Sequence, residues 1–237
     1  MTIRAISFDL DDTLWPVAPI IVRAEERLQR WLEQHHQPLA KRYAIADFRE
    51  LRKTLMRSDP ALRIDLSELR KQSLRIAARQ VGLDPVLAEP AFAVFHEARN
   101  QVQPYPDTLP ALEQLAPDYP LIAISNGNAE IHRTVLAPYF RFGISAEQIG
   151  VAKPDPLIFQ HACERLALSA AELLHIGDDW DTDIQGAVAA GIACIWVNRK
   201  RRPRPKAPTE VVEVTDLSTL EAVLRQTFQL PVPGAED

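Results

Sequence analysis

Cysteine is scarce in this 237-residue chain: Cys163 and Cys194 are the only two, too few for a disulfide framework. Both stand among apolar residues and read as buried free thiols, which suits a reducing compartment. Long apolar runs are missing too. None approaches the ~20 residues that span a bilayer. Charged residues interrupt MTIRAISFDLDD before a signal-peptide apolar region can form. Basic charge is not in excess: 27 Lys and Arg face 32 Asp and Glu, for a net charge of -5. That argues against a general nucleic-acid binder. The single basic run, Arg199 to Arg204 with Lys206, is short, broken by proline, and reads as a solvated loop. No internal repeat or long low-complexity segment is present. The expectation is a soluble cytoplasmic protein, monomer or homodimer, with no nucleic-acid or membrane partner.

What the chain does have is core-forming residues: 46% hydrophobic, against 25% charged. The length suits a core domain carrying one insertion. Ala5 to Leu10 is an apolar run ending in acidic residues and reads as a buried strand. Pro16 to about Asn100 is rich in Leu, Arg, Glu, Gln and Ala at helical spacing, as in Ile21, Leu28, Trp31 and Leu32. Pro38, Pro60, Pro85 and Pro90 divide it into about four helices. Asp65-Leu66-Ser67-Glu68 has the form of a capping box. Beyond Pro104, strands at Leu121–Ser125, Leu173–Ile176 and Ala193–Val197 alternate with helical stretches at 129–136, 156–166 and 181–190. A Pro-rich linker at 203–208 precedes a helix near Leu217 to Phe228, and Pro231 to Asp237 is expected to fray.

This pattern predicts an α/β fold, a doubly wound parallel sheet. One strand precedes the helical block and the rest follow it. Residues 1–15 and 101–237 therefore form the core, and 16–100 an inserted all-helical cap.

In such sheets ligands bind beyond the carboxyl ends of the strands. Asp9, Asp11 and Asp12 follow the first strand. Ser125 and Asn126 end another, and Asp178 and Asp179 a third, with Asp181 and Asp183 just beyond. Lys153, in GVAKPDP, precedes a helix and can reach the same edge. Carboxylates gathered there repel one another and raise each other's pKa values unless a cation neutralises them. An all-oxygen donor set favours a hard ion such as Mg²⁺. Helix capping is an equal reading for Asp181.

FDLDDTL, AISNGN, VAKPDP and GDDWDTD occur in that order along the chain. They resemble the four motifs of the haloacid dehalogenase superfamily, and the resemblance spans nearly the whole chain, with a helical cap between the first and second. It implies Asp9 as a nucleophile that becomes phosphorylated. Asp11 would be the general acid, then base. Mg²⁺ would be held by Asp9, the Asp11 carbonyl and Asp178. Ser125 and the Asn126 N–H would bind phosphoryl oxygens, and Lys153 would neutralise charge shared by nucleophile and phosphate. Asp183 would orient Lys153 or a metal-bound water. Asp179 would be an outer ligand, Thr13 a positioning residue, and Asp12 structural. His175 reads as a satisfied strand histidine; Trp15, Trp180 and Trp196 could line the site, with core packing the default.

The family's dehalogenases lack the second aspartate, because a departing halide needs no proton. Asp11 therefore points to phosphoryl transfer. Lys41, Lys53 and Lys71 in the cap stand in no setting that suggests a Schiff-base lysine. A mutase resembling β-phosphoglucomutase shares all four motifs, and a phospho-aspartate switch or a degenerate binding protein are further alternatives. The segments TLWPVAPIIVRAEERL, ISNGNAE and HIGDDWDTDIQGA are similar to bacterial riboflavin-pathway phosphatases. That implies a small phosphorylated metabolite, such as a phosphoribitylaminouracil or flavin mononucleotide. Arg23, Arg27, Arg57 and Arg63 in the cap are candidate contacts, though snorkelling is the ordinary role of such side chains.

Overall fold

The strand AISF, β1 (Ala5–Phe8), is buried at every position. It sits inside a six-stranded sheet. The computed structural model describes residues 2–205 and 211–228. Lys206, part of the 203–208 linker and the tail from Pro231 onward lie outside them.

The chain divides into two compact units, Met1–Pro16 with Gln103–Asp237, and Val17–Val102. These divisions fall one and two residues later than the sequence pattern predicts. The second unit is helical: α1 (Val17–His35), α2 (Gln37–Arg42), α3 (Ile45–Ser58), α4 (Leu66–Gln80) and α5 (Ala88–Arg99). Helix α1 buries Ile20, Ala24, Leu28 and Leu32, four residues apart, along one stripe. There are five helices rather than four. Pro38 lies inside the first turn of α2, and Pro90 in the first turn of α5, where a missing N–H costs nothing. Asp65 caps α4 by accepting the Glu68 N–H at 2.7 Å. The reciprocal half of the capping box is not made, because Glu68 pairs instead with Arg75 at 2.7 Å. Buried Glu25 is held by Arg49 and Arg52, each at 2.6 Å. Arg27 pairs with Glu97, and Arg63 donates to the Met56 carbonyl. Lys53 and Lys71 pair with Glu50 and Glu89.

The other unit carries α6 (Thr108–Leu115), β2 (Leu121–Ser125), β3 (Phe140–Ser145), α7 (Ala146–Ile149), α8 (Pro156–Leu166), β4 (Leu173–Gly177), α9 (Gln185–Ala189), β5 (Ala193–Val197), β6 (Val212–Val214) and α10 (Leu220–Thr227). Its sheet is parallel throughout, in the order β3-β2-β1-β4-β5-β6. Strands β1, β2 and β4 are buried at every position, as covering on both faces requires. Strand order reverses between β1 and β4, and that places a ligand crevice at their carboxyl ends.

Two expectations change here. Residues 129–136 form a 3₁₀ turn at Ile131–Arg133, followed by a second at Ala137–Tyr139, and not a helix. Thr134 Oγ1 bonds the Ile131 carbonyl and accepts the Leu136 N–H, diverting the backbone from helical bonding. Residues 181–190 are not one regular helix: a π-helical turn over Trp180–Ile184 leads into the shorter α9. Among the described residues, no helix is long and apolar enough to cross a membrane.

Candidate active site

Asp9 leaves β1 with its N–H bound to the Ile176 carbonyl of β4 at 2.9 Å, so the two strand ends are locked side by side. Its carboxylate is buried and meets the Lys153 ammonium at 2.6 Å. The same ammonium reaches Asp183 at 2.6 Å and the Ile124 carbonyl at 2.7 Å. All three donor positions of Lys153 are therefore used. Burial works against the ammonium, but Asp183 and Asp9 outweigh it and hold the Lys153 pKa above its ordinary value. Burial would also raise Asp183, yet Lys153 and His175 hold it below the usual carboxylate range. Asp9 goes the other way: burial, with Asp183 nearby, pushes it up against the pull of Lys153.

Lys153 is positioned from outside by Asn126. The Asn126 side chain donates to the Lys153 carbonyl at 2.9 Å and accepts the Lys153 N–H at 2.8 Å. This two-way clamp gives Asn126 a role beyond its own N–H. Ser125 is buried, and its Oγ accepts the Gly127 N–H at 3.0 Å. A cavity of about 70 Å³ opens beside it, lined in part by Leu10, Ser125, Asn128 and Ser145.

Among the carboxylates, Asp183 joins the expected Asp9 and Asp178. Asp9, Asp178 and Asp183 each offer an oxygen, all within 4.8 Å of one another. The Asp11 carboxylate accepts the Trp15 indole N–H at 2.8 Å across a tight turn. Asp12 supports that turn in the left-handed region, at φ 61°, and pairs with Lys200 at 2.8 Å. Buried Thr13 lies 3.4 Å from Asp178. The donor set fits a hard cation. Burial, with Asp183 and Asp12 close by, pushes the Asp178 pKa up to about 7, so this carboxylate is short of positive charge.

Asp179 caps the π-helical turn: one oxygen accepts the Asp181 and Thr182 N–H groups at 3.1 and 2.9 Å. Capping had been open for Asp181, but the site falls two residues earlier. Asp181 is exposed and accepts from Gln185. The Asp179 N–H donates to Asp183 at 2.9 Å. His175 lies between Ser7, at 2.9 Å, and Asp183, at 3.4 Å, and burial lowers its pKa.

The basic run is an exposed loop from Lys200 to Pro205, as expected, but two of its arginines also reach inward. Arg199 forks onto Asp107 at 2.8 and 3.1 Å, donates to the Thr13 carbonyl, and stacks on Tyr105. Arg202 reaches Asp178 at 3.2 Å. The available signal was position: the run directly follows β5, whose end lies at the same sheet edge as that of β4.

Gly177 packs against this cluster. A Cβ there would stand 2.3 Å from the Asp183 carboxyl carbon. Gly177→Ala is therefore expected to displace Asp183 and cost about 1–3 kcal/mol. Calorimetry should register a melting temperature lower by several degrees, together with impaired turnover. An unchanged melting temperature would mean that the close approach is not there.

A family model described as haloacid dehalogenase-like hydrolase matches residues 3–191. The chain is 34% identical to the 5-amino-6-(5-phospho-D-ribitylamino)uracil phosphatase YigB of Escherichia coli, over 82% of this chain and 83% of that one. It is 31% identical to a glyceraldehyde 3-phosphate phosphatase of Methanopyrus kandleri, over 83% and 84%. A crystal structure described as a 2-haloacid dehalogenase from Pseudomonas syringae superposes with a TM-score of 0.88 at 38% identity, covering 94% of this chain and 99% of that one.

Proposed function

Because the chain belongs to the haloacid dehalogenase-like hydrolases and is a phosphatase of that family, we propose that it hydrolyses a small phosphomonoester through a phosphorylated Asp9, with Mg²⁺ as cofactor. The observation that carries this reading is the bridging of Asp9 and Asp183 by one buried ammonium, beside Asp178.

Asp9, Asp178 and the Asp11 carbonyl would hold the ion, with the Asp183 carboxylate beside them. When bound, it supplies the positive charge that lets a carboxylate and a phosphate approach one another. The remaining steps fall to the chain itself. A carboxylate oxygen of Asp9 attacks phosphorus, and the bond from phosphorus to the ester oxygen breaks. Asp11 gives its proton to the departing alkoxide. One Asp11 oxygen is fixed by the Trp15 indole, which orients the carboxyl for that task. Water then attacks the aspartyl-phosphate, Asp11 takes its proton, and phosphate leaves with Asp9 restored. Ser125 and the Asn126 N–H bind phosphoryl oxygens, and Lys153 balances charge on the nucleophile.

The identity to YigB favours a phosphorylated ribityl compound as substrate. The Pseudomonas syringae structure favours a second reading, dehalogenation. Asp11 weighs against it, since halide leaves without a proton.

A substrate panel separates the two. It would include 5-amino-6-(5-phosphoribitylamino)uracil, flavin mononucleotide, glyceraldehyde 3-phosphate and 2-chloropropionate, each with Mg²⁺ and with EDTA. Phosphate release that falls at least ~10²-fold on chelation is expected. Equal release in EDTA would remove the metal from the scheme. Halide release without phosphate release would favour the dehalogenase.

A further inference from the structure

The loop after β5 is built to deliver one side chain. Asn198 accepts the Arg202 N–H at 2.8 Å and donates to the Arg202 carbonyl at 2.8 Å, closing the loop on its own backbone. Arg201 takes the left-handed region at φ 48°, uncommon outside glycine, and this turns the chain back. Arg199 anchors the front of the loop on Asp107 and the Thr13 carbonyl, and Lys200 pairs with Asp12. The result is the Arg202 guanidinium at 3.2 Å from Asp178 Oδ2. Asp178 belongs to the three-carboxylate group, and nothing in the catalytic scheme uses Arg202.

We infer that Arg202 is a charge placeholder at the cation site: its guanidinium pairs with Asp178 and competes with a divalent cation for that carboxylate, so the loop weakens metal affinity. The inference rests on the reading that Asp178 holds such a cation. Its physical basis is competition. An arginine and a divalent ion seek the same carboxylate, and two cations close together repel. The Arg202 side chain remains 44% exposed, so it has solvent to move into. The loop backbone is held by Asn198, which makes the side chain replaceable without unfolding the turn.

Isothermal titration of the full chain with Mg²⁺, with no substrate present, tests this. Arg202→Ala is expected to bind Mg²⁺ about 3–10-fold more tightly than wild type, with the gain shrinking at high salt. Arg202→Glu should bind more tightly again. Wild-type binding with unchanged or weaker affinity in Arg202→Ala would overturn the inference and leave the metal reading standing. A weaker affinity would make Arg202 a support for Asp178 instead. No Mg²⁺ binding by any of the three proteins, each with a normal melting transition, would overturn the metal reading and this inference with it.

Discussion

Asp9→Asn is expected to cut turnover by at least ~10³-fold, as loss of a covalent nucleophile does in other enzymes. The amide has nearly the volume of the carboxylate, so packing around it survives. It cannot attack phosphorus at a useful rate. Lys153 keeps its bonds to Asp183 and the Ile124 carbonyl, so the ammonium stays neutralised. Burial already works against the Asp9 charge, and removing that charge should leave thermal stability close to wild type. The variant thus separates chemistry from folding. Two measurements check it: steady-state phosphate release, and acid-quench trapping of a labelled phosphoenzyme. Wild type should yield a hydroxylamine-sensitive acyl phosphate, and Asp9→Asn none. A variant within tenfold of wild type, or one still labelled, would mean that another residue accepts the phosphoryl group.

The parts of this site that were legible in the sequence are those fixed by local pattern. β1 and β4 are short apolar runs that end in aspartates, and a buried parallel strand reads that way without any knowledge of its neighbours. The parts that were not legible depend on what meets in three dimensions. β3 reads FRFGIS, with Phe140, Phe142 and Ile144 inward and Arg141 outward; this alternation was visible but lay in the shadow of the helix expected just before it. β6 spans three residues, below what periodicity resolves. The Asp9–Lys153 pair joins positions 144 residues apart, and Lys153–Asp183 positions 30 apart. Motif order brought these groups to one edge, but not which oxygen faces which. Asp183 stands in the carboxylate group with Asp9 and Asp178, a meeting that spacing along the chain does not show. Trp15 is buried, as core packing requires, and also donates its indole N–H to Asp11. Arg202 was missed for a related reason. Composition counts the charges of a basic run, whereas its meaning comes from the backbone turn at Arg201 and the clamp from Asn198.

Lys153→Met should be the most damaging single change to the fold of this site. It removes the one ammonium that two buried carboxylates share, and leaves Asp9 and Asp183 charged and facing each other. Breaking a buried pair from one side costs about 3–5 kcal/mol. For a chain of this size that is a fall in melting temperature of roughly 10 °C. The pH dependence should steepen as well. In wild type, Lys153 and His175 keep the Asp183 pKa below its unfolded value, so its contribution is present above about pH 4 and fades only in stronger acid. In Lys153→Met, the unpaired buried carboxylates have folded pKa values above the unfolded ones. Stability is then greatest in acid and is lost as pH rises. Melting curves in EDTA between pH 5 and 8 should therefore climb toward pH 5 more steeply for the variant than for wild type, where the raised Asp178 and Asp9 pKa values already tilt the curve the same way. Lys153→Met combined with Asp183→Asn removes one of the two charges and should recover much of the lost stability, a non-additivity expected of groups in direct contact. It should not recover turnover, because Asp9 and the phosphoryl group still lack their cationic partner. A Lys153→Met protein that melts like wild type at every pH would show that the two carboxylates were never held by this ammonium.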